Sequence, residues 1–153
     1  MLQAACDDNN LEPDDVYGNV ISDFPNLRML ITISDQDAAL NKWYPLAGEI
    51  NIFHRDTRKA LGAGGPSIAV GNLFNGDIGQ LDIDVDFNAK DPATTVNLKH
   101  KLVIANLSDI HKYRRNNPAP PESPLYKADS WGGSHSDIFF DQLYSVIAKF
   151  LYG

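Results

Sequence analysis

The 153 residues predict an α/β domain with a mostly parallel sheet of about three strands. Two nearly continuous apolar runs carry that prediction, and one long amphipathic helix near the end supports it. Arg28 to Ser34 (Arg-Met-Leu-Ile-Thr-Ile-Ser) and Lys101 to Leu107 (Lys-Leu-Val-Ile-Ala-Asn-Leu) are apolar and rich in β-branched residues without alternation. Strands of that kind are covered on both faces, as in parallel sheets. From Ile138 to Leu151, the residues Phe139, Leu143, Val146, Ile147, Phe150 and Leu151 recur at three- and four-residue steps, an apolar helical stripe that needs a sheet to cover it.

Taken in order, Met1 to Cys6 is short and helix-compatible, and Asp7 to Tyr17 is an acidic surface loop. Asn19 to Asn26 reads as a connection or a short turn of helix. The 28–34 strand stops at Asp35-Gln36-Asp37, and Ala38-Ala39-Leu40 opens a helix that Pro45 breaks or restarts. Leu46, Ile50, Phe53 and Ala60-Leu61 continue its stripe as far as Gly62, and Ala63-Gly64-Gly65-Pro66 is a glycine-rich turn. Leu81 to Phe87 alternates apolar residues with Asp82, Asp84 and Asp86, the pattern of a half-buried strand. Asn88 to Asn97 reads as a loop. Ser108 to Ser130 contains Pro118, Pro120, Pro121 and Pro124 and reads as a long irregular excursion, extending to about residue 134; stretches of that length are usually functional or mobile. Ser136 and Asp137 suit the start of the last helix. Nothing divides the chain into two domains.

The totals narrow the function. Thirteen Lys and Arg against twenty Asp and Glu give a formal charge of −7, which argues against nucleic acid or an anionic membrane as partner. The single cysteine, Cys6, allows neither an internal disulfide nor a cysteine-based metal site. No apolar run approaches the ~20 residues that span a bilayer. The N-terminus lacks a signal pattern, so a cytoplasmic chain is expected unless a targeting segment lies upstream.

Two groups carry candidate chemistry. Asp37 follows the first strand, and His135 follows the second through the long loop, inside Ser130-Trp131-Gly132-Gly133-Ser134-His135-Ser136-Asp137. Ligands of open α/β sheets bind beyond the carboxyl ends of the strands, where an acid can orient an imidazole for proton transfer. Asp35 is the alternative acid, and either aspartate also suits a helix cap. Trp131, Tyr126 and His111 are candidates to line a substrate pocket. Asp82, Asp84 and Asp86 read as a solvated face rather than a Ca²⁺ or Mg²⁺ site. His54, His100 and His111 lack paired zinc spacing, so no metal and no cofactor are expected. The Gly64-Gly65 turn lacks both a Lys-Ser/Thr ending and a following helix start, which speaks against a phosphate cradle.

Several segments resemble one family. Ser34-Asp35-Gln36-Asp37-Ala38-Ala39-Leu40 resembles the turn after the penultimate core strand of the α/β-hydrolases, which carries the triad acid. Ala60-Leu61-Gly62-Ala63-Gly64-Gly65-Pro66 is similar to the Leu-Gly-x-x-Gly-Pro element of a putative esterase branch of that superfamily, the DUF900 kind. Val103 to His111 resembles its last core strand, and Gly132 to Asp137 its histidine segment. The resemblance spans about residues 20 to 152. It implies a Ser-Asp-His hydrolase of esterase or lipase type acting on a small ester or lipid-like substrate, with Asp37 orienting His135 as general base. The family's nucleophile sits in a Gly-x-Ser-x-Gly elbow, and no such motif occurs in these residues. Met1-Leu2-Gln3-Ala4-Ala5 resembles the helix that follows the elbow. The expectation is therefore a C-terminal portion of a partial α/β-hydrolase fold, inactive alone, with an exposed sheet edge that invites self-association. A non-catalytic binding module built on the same fold, using the proline-rich segment 112–130, is the alternative.

Overall fold

The computed structural model describes residues 8, 10–13, 15, 17–46, 59–117 and 140–153. The two continuous apolar runs are strands. β1 (Met29–Ile33) and β3 (Leu102–Asn106) lie side by side and parallel, with Ile31 opposite Ile104. β2 (Ile78–Asp82) flanks β3 on its other side, also parallel, so the order is β1-β3-β2. Helices precede and follow the strands: α1 (Gly18–Asp23), α2 (Ala39–Trp43, with π-helical hydrogen bonding), α3 (Leu61–Gly64), α4 (Ile68–Leu73), α5 (Pro92–Leu98), α6 (Ser108–Asn116) and α7 (Asp141–Tyr152).

Side chains alternate across a strand, and here the alternation separates two apolar layers. Ile31, Leu102 and Ile104 face Ile21 of α1, Leu61 of α3 and Val70 of α4. Leu30, Val103, Ala105 and Leu81 face Leu98 of α5, Ile110 of α6, and Leu143, Val146 and Phe150 of α7. The fold is a three-layer α/β/α arrangement, and an apolar side chain on either face of β3 is covered. That is why β3 reads as an unbroken apolar run. Arg28 ties the second layer together at the amino end of β1. Its guanidinium lies 4.5 Å from the Phe150 ring and donates to the carbonyls of Leu98 and Phe150, at the C-terminal, negative ends of α5 and α7.

Three expectations from the sequence change. β2 runs from Ile78 to Asp82, not from Leu81 to Phe87. The chain leaves the sheet after Ile83, and Asp84 starts a turn in which its carboxylate accepts from Asp86 N–H (3.0 Å) and its carbonyl from Phe87 N–H (3.3 Å). The alternating apolar–Asp pattern simply outlasts the hydrogen-bonded strand. The stretch read as a loop from Asn88 to Asn97 contains α5, capped by Asp91, whose carboxylate accepts from Ala93 N–H at 2.8 Å, with Pro92 in the first turn. The excursion expected from Ser108 instead opens with nine residues of α6. Ile110 and His111 supply its buried side, and the prolines begin only at Pro118, just past its end.

Smaller shifts follow. A helix does start after the glycine turn: α4 begins at Ile68 with the Ser67 hydroxyl accepting from Val70 N–H. Gly65, at φ 81°, makes the turn itself. The helical path beginning at Ala38 runs through Pro45 to Leu46. α7 starts at Asp141, so the caps expected at Ser136 and Asp137 lie outside the described residues, and Leu151 is exposed rather than part of the buried stripe.

Candidate functional site at the carboxyl rim of the sheet

The topology singles out one crevice. From β1 the chain reaches β2 through α3 and α4 on the first face; from β2 it reaches β3 through α5 on the second, and α6 after β3 stays on that second face. β1 and β3 are neighbours whose chains depart to opposite faces. In open α/β sheets the space between two such carboxyl ends is where ligands bind.

The β1 side of this crevice is Ser34 to Asp37. Asp37 is fully buried, and its Oδ1 accepts from Leu40 N–H at 3.1 Å, capping the first turn of α2. Asn41 closes the same turn, its side-chain amide donating to the carbonyls of Ser34 (3.1 Å) and Asp37 (2.8 Å). Tyr44 N–H reaches back five residues to the Ala39 carbonyl, which makes this stretch π-helical. Such wide turns are rare and recur at functional sites. Asp35 is exposed. The hydrogen bond from the Gln36 amide (2.8 Å), with the polar Ser108 hydroxyl beside it, holds its carboxyl below the usual aspartate range. Desolvation opposes them, and Lys112 and Arg115 add to them.

The β3 side is Asn106 to Arg115. Ser108 accepts from Asp35 N–H at 3.1 Å, and both its N–H (3.1 Å) and its hydroxyl (2.7 Å) donate to Asn106 Oδ1. That fixes the Asn106 amide, whose Nδ2 donates to Asp82 at 2.9 Å. Arg115 donates to the Gln36 carbonyl at 2.7 Å and to its Oε1 at 3.3 Å. A polar chain therefore crosses all three strand ends, from Asp82 through Asn106, Ser108 and Asp35 to Gln36 and Arg115.

Beneath it lies a buried pair. His111 and Ser34 are both fully buried, and His111 Nδ1 and Ser34 Oγ share a 2.8 Å hydrogen bond. Ser34 Oγ also accepts from Gln36 N–H at 3.2 Å, and the His111 ring meets Phe140 edge-on at 6.1 Å. His111, a candidate to line a substrate pocket from the irregular excursion after Ser108, instead sits on α6, fully buried, with its ring turned into the second layer. The serine has a base beside it, but neither group is open to solvent. Ser34, Asn106 and Ser108 fall within the family-like segments, but the sequence assigns them no role, because each ends or follows a strand marked by its apolar content. Asn-Leu-Ser at a strand's end, opening a helix, was the available signal.

No family model, curated protein or solved structure matches this chain. Of the residues singled out in the sequence, Asp35, Asp37 and His111 come together at this rim. His135, Trp131 and Tyr126 lie outside the described residues, as do Cys6 and His54. Among the described residues no group of three His, Cys, Asp or Glu side chains is placed to hold a metal ion, and Asp82, Asp84 and Asp86 do not converge. None of the described helices is long and apolar enough to cross a membrane.

Proposed function

We propose that the chain carries the acid and the base of a serine-hydrolase-type site for esters or other acyl compounds, with Asp37 orienting His135. One observation supports this reading above the rest. Asp37 is a fully buried carboxylate at the carboxyl end of β1, in the crevice shared with β3, the strand whose chain continues through α6 toward the His135 segment. An acid held there, immobilised by its own turn, can fix an imidazole's tautomer and stabilise its protonated form. The resemblance to the α/β-hydrolases supplies the reaction class and the chain order of acid before histidine. On this reading the nucleophile comes from outside these 153 residues, and a small ester or lipid-like molecule is the substrate.

The alternative, a binding module without catalysis, draws on the hydrogen bond from Leu40 N–H to Asp37, which is what a purely structural cap makes. Histidine titration by NMR separates the two. A paired His135 titrates above the ~6.5 of a free imidazole and falls back toward it in Asp37→Asn, whose side-chain oxygen still caps Leu40, while Asp35→Asn leaves it in place. A His135 titration indifferent to Asp37→Asn removes the acid–base pair and leaves the binding module. A fluorophosphonate probe is expected to leave the chain unlabelled; labelling at Ser34 would instead make the buried Ser34–His111 pair the reactive one. Association through an exposed edge of the sheet also belongs to this reading. Sedimentation would show it as a concentration-dependent dimer, and a monomer throughout would strike it out.

A further inference from the structure

A second feature of the carboxyl rim lies on the first face of the sheet and shares Asp82 and Asn106 with the polar chain that crosses the strand ends. The Gly64-Gly65-Pro66 turn, beside the end of β1, and the ends of β2 and β3 line a partly open cavity of about 180 Å³. Its apolar part is Ile33 and Ile104, and its polar part is Gln80, Asp82 and Asn106. The strand pattern explains why it is there. Ile78, Gln80 and Asp82 point to one face of β2. Ile78 packs against the first apolar layer, but that cover ends and leaves Gln80 and Asp82 exposed.

The polar wall is organised before any ligand arrives. Ser108 holds Asn106 Oδ1, so the Asn106 amide points its N–H at Asp82 Oδ1. Among the described residues, nothing donates to the second oxygen of Asp82, no side chain pairs with the Gln80 amide, and no Lys or Arg lines the cavity. A preoriented carboxylate oxygen and an amide oxygen therefore border a space with an apolar floor. The volume equals about six waters at 30 Å³ each, and lies below the ~300 Å³ at which drug-sized ligand sites begin. The only formal charge in the lining is negative, on a chain of net charge −7, which excludes an anion. One carboxylate is too few for a bound metal ion.

We propose that this cavity binds a small organic cation, a primary ammonium group on a compact apolar body. The ammonium donates to Asp82 and to the Gln80 side-chain oxygen, and the body rests on Ile33 and Ile104. The inference does not depend on the Asp37–His135 reading, because none of these residues belongs to that pair.

The test is amide-resolved NMR titration of the ¹⁵N-labelled chain with three matched probes: cyclohexylammonium, cyclohexanol and cyclohexanecarboxylate. Cyclohexylammonium is expected to give saturable shifts centred on Gly65, Asp82 and Asn106, with the two other probes about tenfold weaker or silent, the factor expected when a hydrogen bond to a charged group is lost. Asp82→Asn keeps a partner for Asn106 and is expected to weaken the ammonium by about the same factor. Gln80→Ala reports on the second acceptor without touching the charge. Equal binding of the carboxylate, shifts that never saturate, or an Asp82→Asn variant that binds the ammonium as well as the parent would each overturn the proposal.

Discussion

The buried Ser34–His111 bond shows how much one polar contact decides at the residue scale. Both side chains are fully withdrawn from water, so whatever they bond replaces the solvent they lost. Ser34 Oγ serves two partners at once, His111 Nδ1 and Gln36 N–H. Ser34→Ala takes that oxygen from both, and a loss of about 1–3 kcal/mol in urea unfolding is expected. Ser34→Thr keeps the hydroxyl but forces an extra methyl into a packed layer, so a smaller loss than for alanine would assign the effect to the hydrogen bond rather than to space. Ser67 offers a milder comparison. Its hydroxyl accepts from Val70 N–H and donates to the Glu12 carboxylate, linking the start of α4 to the N-terminal segment. Ser67→Ala is expected to cost about 1 kcal/mol, the usual value of an N-cap; thermal unfolding would measure it.

At the scale of elements, the close approach of α5 to β2 depends on Gly79. A methyl group there would lie 2.3 Å from the Asn97 carbonyl oxygen and 2.6 Å from the His100 ring, and backbone cannot step aside as a flexible side chain does. Gly79→Ala is expected to destabilise by about 1–3 kcal/mol or more. Gly64→Ala, where the added carbon meets only the Lys59 stem at 3.4 Å, should cost far less, and paired denaturant melts would show the order. This packing also explains what the sequence concealed. β1 and β3 are legible because both faces of each are covered, so composition alone marks them. β2 contains Gly79 and Gln80, one demanded by α5 and the other open to solvent, and neither carries a strand signal. The Asp-alternating residues after it carry that signal and are mostly turn. α6 was hidden by prolines that begin only beyond it, and α5 announced itself through Asp91-Pro92, a cap and first-turn pair that the polar composition around it outweighed. The site divides along the same line. Asp37 was legible because a carboxylate between a strand and a helix is a local pattern. The Ser34–His111 pair joins residues 77 apart in the chain, and no local pattern announces it.

For the whole molecule, a depressed aspartate sits at each end of the parallel sheet. At the carboxyl end Asp35 is held low by Gln36 and Ser108; at the amino end Asp77, just before β2, is held low chiefly by His100, whose Nδ1 lies 2.7 Å from its Oδ1, with Lys101 assisting against desolvation. The His100–Asp77 contact joins the entries of two neighbouring strands, β2 and β3. A carboxyl whose value is lower in the folded chain than in the unfolded one binds fewer protons when folded, so folding stability rises with pH across the interval between the two values. Its contribution is complete above the unfolded value of about 3.9 and is lost as the pH falls through the folded value beneath it. The chain is therefore expected to lose thermal stability as pH drops below about 4. Both carboxyls stand largely in water, so each effect is modest and is read best as a difference between variants. His100→Leu removes the main cause of the Asp77 depression, the donor beside its carboxylate. Its carboxyl, followed by ¹³C NMR, should then titrate closer to the ordinary aspartate value while Asp35 stays where it was. Asp77→Asn should flatten the acid limb of a plot of Tm against pH, and Asp35→Asn should flatten it independently because the two groups occupy opposite rims. An acid limb of unchanged slope in the double variant would mean that other carboxylates govern the acid transition and that these two contacts contribute nothing to it.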